Sequence, residues 1–276
     1  MRLDAAAYLG SWPFRAVEGT TRGLSGMMQE LGLDHALVSS LPALFHADPE
    51  PANRDLLRRL SPTRQSRYGD GAKNRPELWA APAVNLHMAD AAGYISRLAR
   101  DPKVRAVQLA PGFHGYATSQ TSAGCAATAQ PLEEVVAAVA DAGLAAVIQL
   151  RMQDERSHPP TTSIPPVPIE EAIALAERVP TARIVVAAAR QGELENRSHA
   201  ERIRALPNLW LTTTHLDGVG CIRRACDAVG VERLLFGTCW PFFYAKSALL
   251  KAEEAELSGT ESDLLMGGNA RKAFGR

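Results

Sequence analysis

Titratable and nucleophilic side chains stand at the carboxyl ends of apolar segments that the sequence predicts as strands. His215 ends the segment TTTH, Arg190 ends RIVVAAAR, and Cys239 follows the apolar run LLFGT. A histidine with an ordinary pKa of about 6.5 can accept or donate a proton at neutral pH. A neighbouring thiol could act as a nucleophile, and the planar fork of arginine suits a carboxylate. We therefore interpret His215, Cys239 and Arg190 as candidate catalytic residues.

A wider group of side chains at the same strand ends, and in the loops behind them, could bind a small polar substrate. Its members carry amide, phenol, indole, imidazole or guanidinium groups, and they are Tyr8, Gln108, His114, Gln149, Arg151, Arg156 and Trp240. Arg151, Arg156 and Arg190 come from two neighbouring predicted strand ends, which indicates an anion-binding mouth. The alternative is that Asp154 and Glu155 simply neutralise these arginines in a surface loop.

Each of these residues also has a purely structural interpretation. A free cysteine is more often a small buried hydrophobic residue than a reactive thiol, and a single histidine is often structural. A catalytic metal centre needs three or more converging histidine or carboxylate ligands. The sequence has no HxH or HExxH motif and no carboxylate on its last predicted strand. We therefore predict no metal ligands.

The elements that must position these side chains alternate regularly along the chain. Eight apolar strand patterns, each followed by a helical pattern, fill the sequence without a domain-sized interruption. Strands that alternate with helices form a parallel sheet, and eight such units in about 250 residues are typical of a (βα)₈ TIM barrel. We predict an α/β fold of this type as a single domain over residues 1–276. The alternative is a doubly wound open sheet, although no GxGxxG motif follows the first strand.

The amino-acid composition of the chain limits the classes of binding partner that we expect. Of 276 residues, 46% are hydrophobic and 22% charged, and the formal net charge is zero. Such a balance favours neither nucleic acid nor an anionic membrane surface, and no run approaches the roughly 20 apolar residues that span a bilayer. Four cysteines without CxxC spacing favour a reducing, cytoplasmic setting. We expect a small-molecule substrate as the partner, with a homo-oligomer left open.

Five segments, taken in order, resemble a known family. They are LDAAAYLGSWPFR, LDHALVSS with PEPANRDLL, VRAVQLAPGFHGY, RLLFGTCWPFF and LLMGGNARKAFG. Together they resemble the amidohydrolase-related family, which comprises TIM-barrel hydrolases and decarboxylases of the metal-dependent hydrolase superfamily. The resemblance runs from Leu3 to Phe274, and its most specific parts are the GTCWP segment and the closing GNARKAF helix. It implies a barrel fold and a hydrolase or decarboxylase activity.

The sequence departs from that family at the metal-binding positions. The family's first strand carries Asp-x-His-x-His, whereas here the two histidine positions are Ala6 and Tyr8. The family's Gly-Thr-Asp-x-Pro motif here has Cys239 in place of the aspartate. Strand five carries QLR and strand six AAARQG, where the family has histidines. We therefore expect the standard divalent metal site, and with it any cofactor, to be absent.

Four hypotheses about function follow. The first is an amidohydrolase-like, metal-independent hydrolase of a small carboxylated or lactone substrate, in which the arginines hold a carboxylate and His215 moves a proton or orients water. The second is a non-catalytic member that binds a metabolite or a partner. A cysteine-dependent hydrolase using Cys239 is the third, and a decarboxylase-type lyase is the fourth.

Overall fold

The computed structural model describes residues 1–61, 76–116, 132–152, 159 and 164–275, and strands alternate with helices through these ranges. The strands are β1 (Leu3–Trp12), β2 (Val17–Gly19), β3 (His35–Ser40), β4 (Glu77–Ala80), β5 (Ala106–Leu109), β6 (Ala145–Gln149), β7 (Arg183–Ala187), β8 (Leu209–Thr212) and β9 (Leu234–Leu235). The helices are α1 (Thr21–Leu31), α2 (Glu50–Arg59), α3 (Ala91–Leu98), α4 (Pro111–His114), α5 (Leu132–Asp141), α6 (Ile169–Arg178), α7 (Gln191–Glu195), α8 (Arg197–Ala205), α9 (Cys221–Val229), α10 (Ala245–Glu253), α11 (Gly259–Asp263) and α12 (Asn269–Phe274).

The strands form two sheets, in the orders β2-β1-β3-β4 and β5-β6-β7-β8-β9. Every pair is parallel except β1 with β2, a short antiparallel addition. Backbone hydrogen bonds join the sheets at both edges. At one edge Ala5 N donates to Phe236 O at 2.8 Å, and at the other Gln108 N donates to Pro82 O at 2.8 Å. The eight parallel strands therefore form a ring, which confirms the predicted (βα)₈ barrel.

Two layers of buried apolar side chains stabilise this ring, one inside it and one around it. The interior of its amino-terminal half is filled by residues that alternate along the strands, among them Ala5, Val147 and Trp210. Phe274 of α12 belongs to the same cluster and is fully buried, so the last helix closes that end of the barrel. A larger cluster packs the outer faces of the strands against the surrounding helices. The alternation of inward and outward side chains follows from the two-residue period of a strand.

The first strand carries an irregularity next to the barrel mouth. Its register with β3 shifts between Asp4 and Ala7. The Asp4 carboxyl group is fully buried, and it accepts hydrogen bonds from Ala6 N at 3.0 Å and from Thr238 N at 3.0 Å. The Thr238 hydroxyl donates a further bond of 2.5 Å to Asp4 Oδ2. Asp4 therefore stabilises the local bend and ties the first strand to the segment after the last one.

Several boundaries differ from those that the sequence predicts. The third predicted strand, at 78–85, is regular only to Ala80, and the last consists of Leu234 and Leu235 alone. Beyond these points the chain continues the ring through isolated bridges, Ala83 with Gln108 and Ala7 with Trp240. The strand β2 and the short helix α7 were not predicted. Both are shorter than the window over which hydrophobic periodicity can be detected.

Candidate active site

A hydrogen bond crosses the barrel at the carboxyl ends of its strands. The Tyr8 hydroxyl, on β1, donates to Gln149 Oε1, on β6, at 3.0 Å. Gln108 Nε2, on β5, donates to the same oxygen at 3.2 Å, and Gln149 Nε2 donates to the Arg151 carbonyl. All three side chains are buried, and burial is the main cause that raises the pKa of Tyr8 well above its usual value. The structure thus brings together three of the predicted substrate-binding residues.

Arg151 lies beside this group but is already paired. Its guanidinium Nη1 and Nη2 donate to the two Glu193 carboxylate oxygens at 2.8 and 2.7 Å, and Nη1 also donates to Ala188 O at 2.7 Å. Arg151 is only 7% exposed and the Glu193 side chain 23%, so this bidentate ion pair is largely buried. The predicted role of Arg151 as a direct carboxylate ligand therefore competes with Glu193.

Arg190 stands at the rim of the same region. Its backbone N–H donates to Glu193 Oε2 at 2.7 Å, and the residue caps the amino end of α7. The side chain is exposed, unlike that of Arg151. Glu193 therefore links the two arginines, one through its guanidinium and the other through its backbone. Of the three arginines predicted to form an anion-binding mouth, the third, Arg156, lies outside the described residues.

His215 ends a second chain of hydrogen bonds. Ala188 N donates to Thr212 Oγ1 at 3.3 Å, the hydroxyls of Thr212 and Thr214 lie 3.1 Å apart, and Thr214 Oγ1 lies 3.2 Å from His215 Nδ1. Ala188 connects this chain to Arg151 through its carbonyl.

The imidazole of His215 is neutral at pH 7. Burial, followed by the positive charge of Arg151, lowers its pKa to about 4. Asp217 and the Met152 backbone act in the opposite direction, yet Nε2 is buried and has no hydrogen-bond partner among the described residues.

Two non-glycine residues beside these side chains adopt left-handed backbone conformations. Ala188 follows β7 with φ of 70°, and Cys239 lies beyond β9 with φ of 57°. Such conformations cost about 1–3 kcal/mol each and occur preferentially at functional sites. Both lie at the carboxyl ends of barrel strands, the face on which TIM barrels carry their active sites.

The thiol of Cys239 does not have the environment of a nucleophile. The residue is 1% exposed, and burial, assisted by the nearby Asp4 carboxyl group, raises the pKa of its thiol. The reactive form of cysteine is the thiolate, which this environment disfavours. The structure supports the interpretation of Cys239 as a small buried residue.

An aromatic cluster covers the polar side chains on the solvent side. Trp12 contacts each of the other members edge-on, with ring centroids 5.0 to 5.9 Å apart, and these members are Phe14, Phe45, Phe113 and Phe242. Phe242 also contacts the Tyr8 ring at 6.1 Å. The polar side chains therefore lie between the apolar base of the barrel and this aromatic cluster. In such an enclosed space, electrostatic interactions are stronger than in water.

Two predicted substrate-binding residues lie elsewhere. Trp240 packs on the outer layer, where it lines a surface cleft of about 380 Å³ with Met27 and Leu31 of α1. His114, in α4, places Nε2 3.2 Å from Ala43 O, and burial is the main cause that lowers its pKa. His114 lies near Tyr116, with ring centroids 6.2 Å apart. Within the described part of the chain, no side-chain hydrogen bond or ring contact joins either residue to the group around Gln149.

The positions where the resemblance implies metal ligands do not suit a divalent metal. Ala6 has no donor atom, the Tyr8 phenol and the Cys239 thiol both have raised pKa values, and Gln149 offers a neutral amide. Zinc requires imidazole, carboxylate or thiolate ligands. Within the described residues, no three His, Cys, Asp or Glu side chains are grouped to hold a metal ion.

Sequence reasoning missed two contributors to the site, Glu193 and the pair formed by Asp4 and Thr238. Glu193 could have been suspected from its place in the first turn after a predicted strand end. Asp4 carried a signal, since it stands in the segment that resembles the family's first strand. The exposed residue Arg15 was also missed. It donates from Nη2 to Phe242 O at 3.1 Å and lies above the ring of Phe242.

These features define a (βα)₈-barrel protein with a buried polar site at the carboxyl ends of its strands. The family profile described as Amidohydrolase matches residues 16–276, and the chain belongs to that family. No match was found among curated proteins. Among the described residues, none of the helices combines the length and the apolar composition that a membrane span needs.

Solved structures share this fold. An amidohydrolase from Burkholderia multivorans is 17% identical, with a TM-score of 0.65, 99% of each chain being covered. A structure assigned as a 2-pyrone-4,6-dicarboxylic acid hydrolase from Pseudomonas putida is 18% identical, with a TM-score of 0.67, and covers 99% of this chain and 97% of its own. A 5-carboxyvanillate decarboxylase from Sphingomonas paucimobilis is 16% identical, with a TM-score of 0.65, and covers 99% and 98%. At these identities the likeness establishes the fold.

Proposed function

We propose that this amidohydrolase-family protein is a hydrolase that acts, without a resident divalent metal, on a small carboxylated or lactone substrate. The observation that carries the proposal is a set of buried polar atoms without partners at the barrel mouth. Within the described structure these atoms are Gln108 Oε1, Arg151 Nε and His215 Nε2. A buried polar group left unpaired costs about 1–3 kcal/mol. A polar substrate bound there would satisfy such groups.

The proposal assigns distinct roles to the two arginines. Arg190 is exposed at the rim and binds a substrate carboxylate, for which its planar fork is suited. Arg151, whose Nη atoms are paired with Glu193, adds its positive charge to the effect of burial, and together they keep His215 neutral.

His215 then acts as the proton carrier. In lactone hydrolysis the water oxygen adds to the ring carbonyl and the ring C–O bond breaks. The proton lost by the water passes through the neutral imidazole to the departing oxygen. Its pKa of about 4 makes the imidazole a weak base, but one that is fully unprotonated at neutral pH.

Metal independence is supported by the chemistry of the side chains at the expected ligand positions. The Tyr8 phenol is engaged with Gln149 Oε1, and the Cys239 thiol is buried beside Asp4. Neither loses its proton readily. The choice of a carboxylated ring is motivated by the pyrone hydrolase and the decarboxylase of the same fold, whose names both denote carboxylated rings.

The test combines metal analysis with a substrate panel. Protein purified without chelators is assayed for zinc and manganese, and carboxylated lactones, cyclic amides and aromatic acids are screened for ring opening and for carbon dioxide release. We expect ring opening with no stoichiometric metal, and loss of turnover in His215→Asn. Stoichiometric zinc or manganese would overturn metal independence. Carbon dioxide release instead of ring opening would identify a lyase, and unchanged turnover in Arg190→Ala would remove the arginine role.

A second candidate is a non-catalytic, metabolite-binding role, and the aromatic cluster favours it. Tyr8 and Trp12 are each 3% exposed, so the side chains of the mouth are largely shielded from water. A ligand that raises the melting temperature without being converted would favour this role, because a ligand that binds only the folded state stabilises it.

A further inference from the structure

The hydrogen bonds around Gln149 determine which way its amide faces. The Arg151 carbonyl can only accept, so the atom of Gln149 that contacts it must be the nitrogen. The oxygen of Gln149 then faces Tyr8 and Gln108, at 3.0 and 3.2 Å. An amide in the reversed orientation would place two oxygens against each other.

The orientation of Gln149 in turn determines that of Gln108. Gln149 Oε1 faces Gln108, so Gln108 must direct its Nε2 toward that oxygen. Oε1 of Gln108 then points away from Gln149. Gln108 is 0% exposed, and Oε1 has no hydrogen-bond partner in the part of the chain that the structure describes. The Tyr8 hydroxyl, having donated its proton to Gln149, offers only lone pairs for any further contact. Gln108 Oε1 and the Tyr8 hydroxyl oxygen therefore offer hydrogen-bond acceptors at the centre of the site.

We propose that Gln108 is a specificity-determining residue whose Oε1 accepts a hydrogen bond from an N–H or O–H group of the substrate. The proposal rests on the site of the proposed function and narrows its substrate class. Cyclic amides, imides and hydroxylated rings carry such a donor. A lactone ring oxygen has none, and would face Gln108 Oε1 with lone pair against lone pair. Sites built to bond a donor strongly reject analogues that lack it, because the buried partner is then left unpaired.

A matched pair of ligands tests this directly. The 6-carboxylates of 2-pyridone and 2-pyrone have nearly the same shape, and they differ in a ring N–H against a ring oxygen. Their dissociation constants are measured by calorimetry with the full chain. We expect the pyridone to bind at least tenfold more tightly to the wild-type protein, and Gln108→Met to bring the ratio close to one.

A second variant separates the orientation of Gln108 from its presence. Gln149→Met removes the oxygen that holds the Gln108 nitrogen, so the amide of Gln108 can rotate and present either group. The preference for the pyridone should then fall although Gln108 is retained. Circular dichroism and the melting temperature establish that both variants are folded.

Three results would overturn the inference. They are equal or tighter binding of the pyrone by the wild-type protein, an unchanged ratio in folded Gln108→Met, and binding of neither ring. The inference is tested by binding alone. Failure to hydrolyse any ring would therefore contradict the proposed function without affecting this inference. Conversely, turnover of lactones without a binding preference would leave the proposed function and remove the inference.

Discussion

Tyr8 and Gln149 are joined across the full width of the barrel, by a hydrogen bond of 3.0 Å between side chains on opposite strands. Around the ring, β3, β4 and β5 separate their strands on one side, and β7, β8 and β9 on the other. The phenol stands where the family resemblance implies a metal-binding histidine. The part of the barrel interior where the resemblance implies a metal is thus crossed by a hydrogen bond between two uncharged side chains, a phenol and an amide.

Removing the Tyr8 hydroxyl should have a measurable effect on stability. In Tyr8→Phe, Gln149 Oε1 keeps only the bond from Gln108, and we expect the free energy of unfolding to fall by about 1 kcal/mol. Urea denaturation measures it. Tyr244→Phe makes the same chemical change at a residue that is 74% exposed, and should be neutral. Equal effects of the two substitutions would show that the bond across the barrel contributes nothing.

The ion pair of Arg151 and Glu193 should be sensitive to loss of one partner. Glu193→Gln leaves a buried guanidinium without a carboxylate, which we expect to destabilise the protein by about 3 kcal/mol. Adding Arg151→Met should restore part of the loss, because no buried charge then remains. The exposed pair of Arg197 and Glu201 provides the control, and Glu201→Gln should change stability by less than about 0.5 kcal/mol. A Glu193→Gln protein as stable as the wild type would contradict the burial of this pair.

His215 should make stability depend on pH in a defined window. Its folded-state pKa of about 4 lies below the ordinary value of 6.5. Between these values the unfolded chain binds a proton that the folded chain does not, so the contribution of His215 to stability falls as the pH falls from 6.5 toward 4. NMR titration measures the pKa, and His215→Asn should lack this part of the pH dependence. A midpoint close to 6.5 would contradict the burial of the imidazole.

Asp4 should show the opposite sign. Burial is the largest influence on its carboxyl group, and it raises the pKa in spite of the bonds from Thr238 and Ala6. The folded state therefore holds a proton over a range in which the unfolded state has lost it, and the contribution of Asp4 is lost as pH rises through the folded-state pKa. The stability of the wild type relative to Asp4→Asn should accordingly increase toward acid pH in chemical denaturation. A relative stability that decreases there would show that the hydrogen bonds outweigh burial.

Cys239 should resist alkylation at neutral pH. Its thiol is buried and its pKa is raised, so the thiolate fraction is small. We expect iodoacetamide to label it in the native protein far more slowly than in urea, as followed by mass spectrometry of the tryptic peptides. Rapid and selective labelling of Cys239 in the native protein would contradict this prediction and support the cysteine-dependent hydrolase.

The sequence predicted the barrel and where its site lies, because strand and helix patterns alternate and parallel strands place their carboxyl ends on one face. This convergence is why Tyr8, Gln108 and Gln149, distant in sequence, could be expected together. Their hydrogen-bond directions could not be predicted, because these depend on the Arg151 carbonyl. Glu193 could be suspected from its position after a predicted strand end, but its ion pair with Arg151 could not be predicted, since the turn after β7 determines where that carboxylate lies.

Trp240 was predicted to bind substrate, but its neighbour Cys239 is the residue that faces the barrel mouth. Cys239 belongs to the cluster that faces the barrel mouth, and Trp240 to the outer layer. Cys239 has a left-handed backbone with φ of 57°, so the two-residue alternation of an extended strand does not predict which neighbour faces the mouth. A motif therefore predicts that one of two neighbours faces the site, and the local backbone determines which one.

The bond between Asp4 and Thr238 has a consequence for how the chain is made. Its partners are 234 residues apart, so the contact cannot form until synthesis has passed Thr238. Until then β1 can pair with β3 and, at its carboxyl end, with β2, but the rest of its other edge remains open. Such an edge can pair with strands of other chains, and long-range pairing is a slow step of folding. We therefore expect newly synthesised protein to fold only once the segment that contains Thr238 is present, with truncation before Thr238 giving an aggregation-prone product.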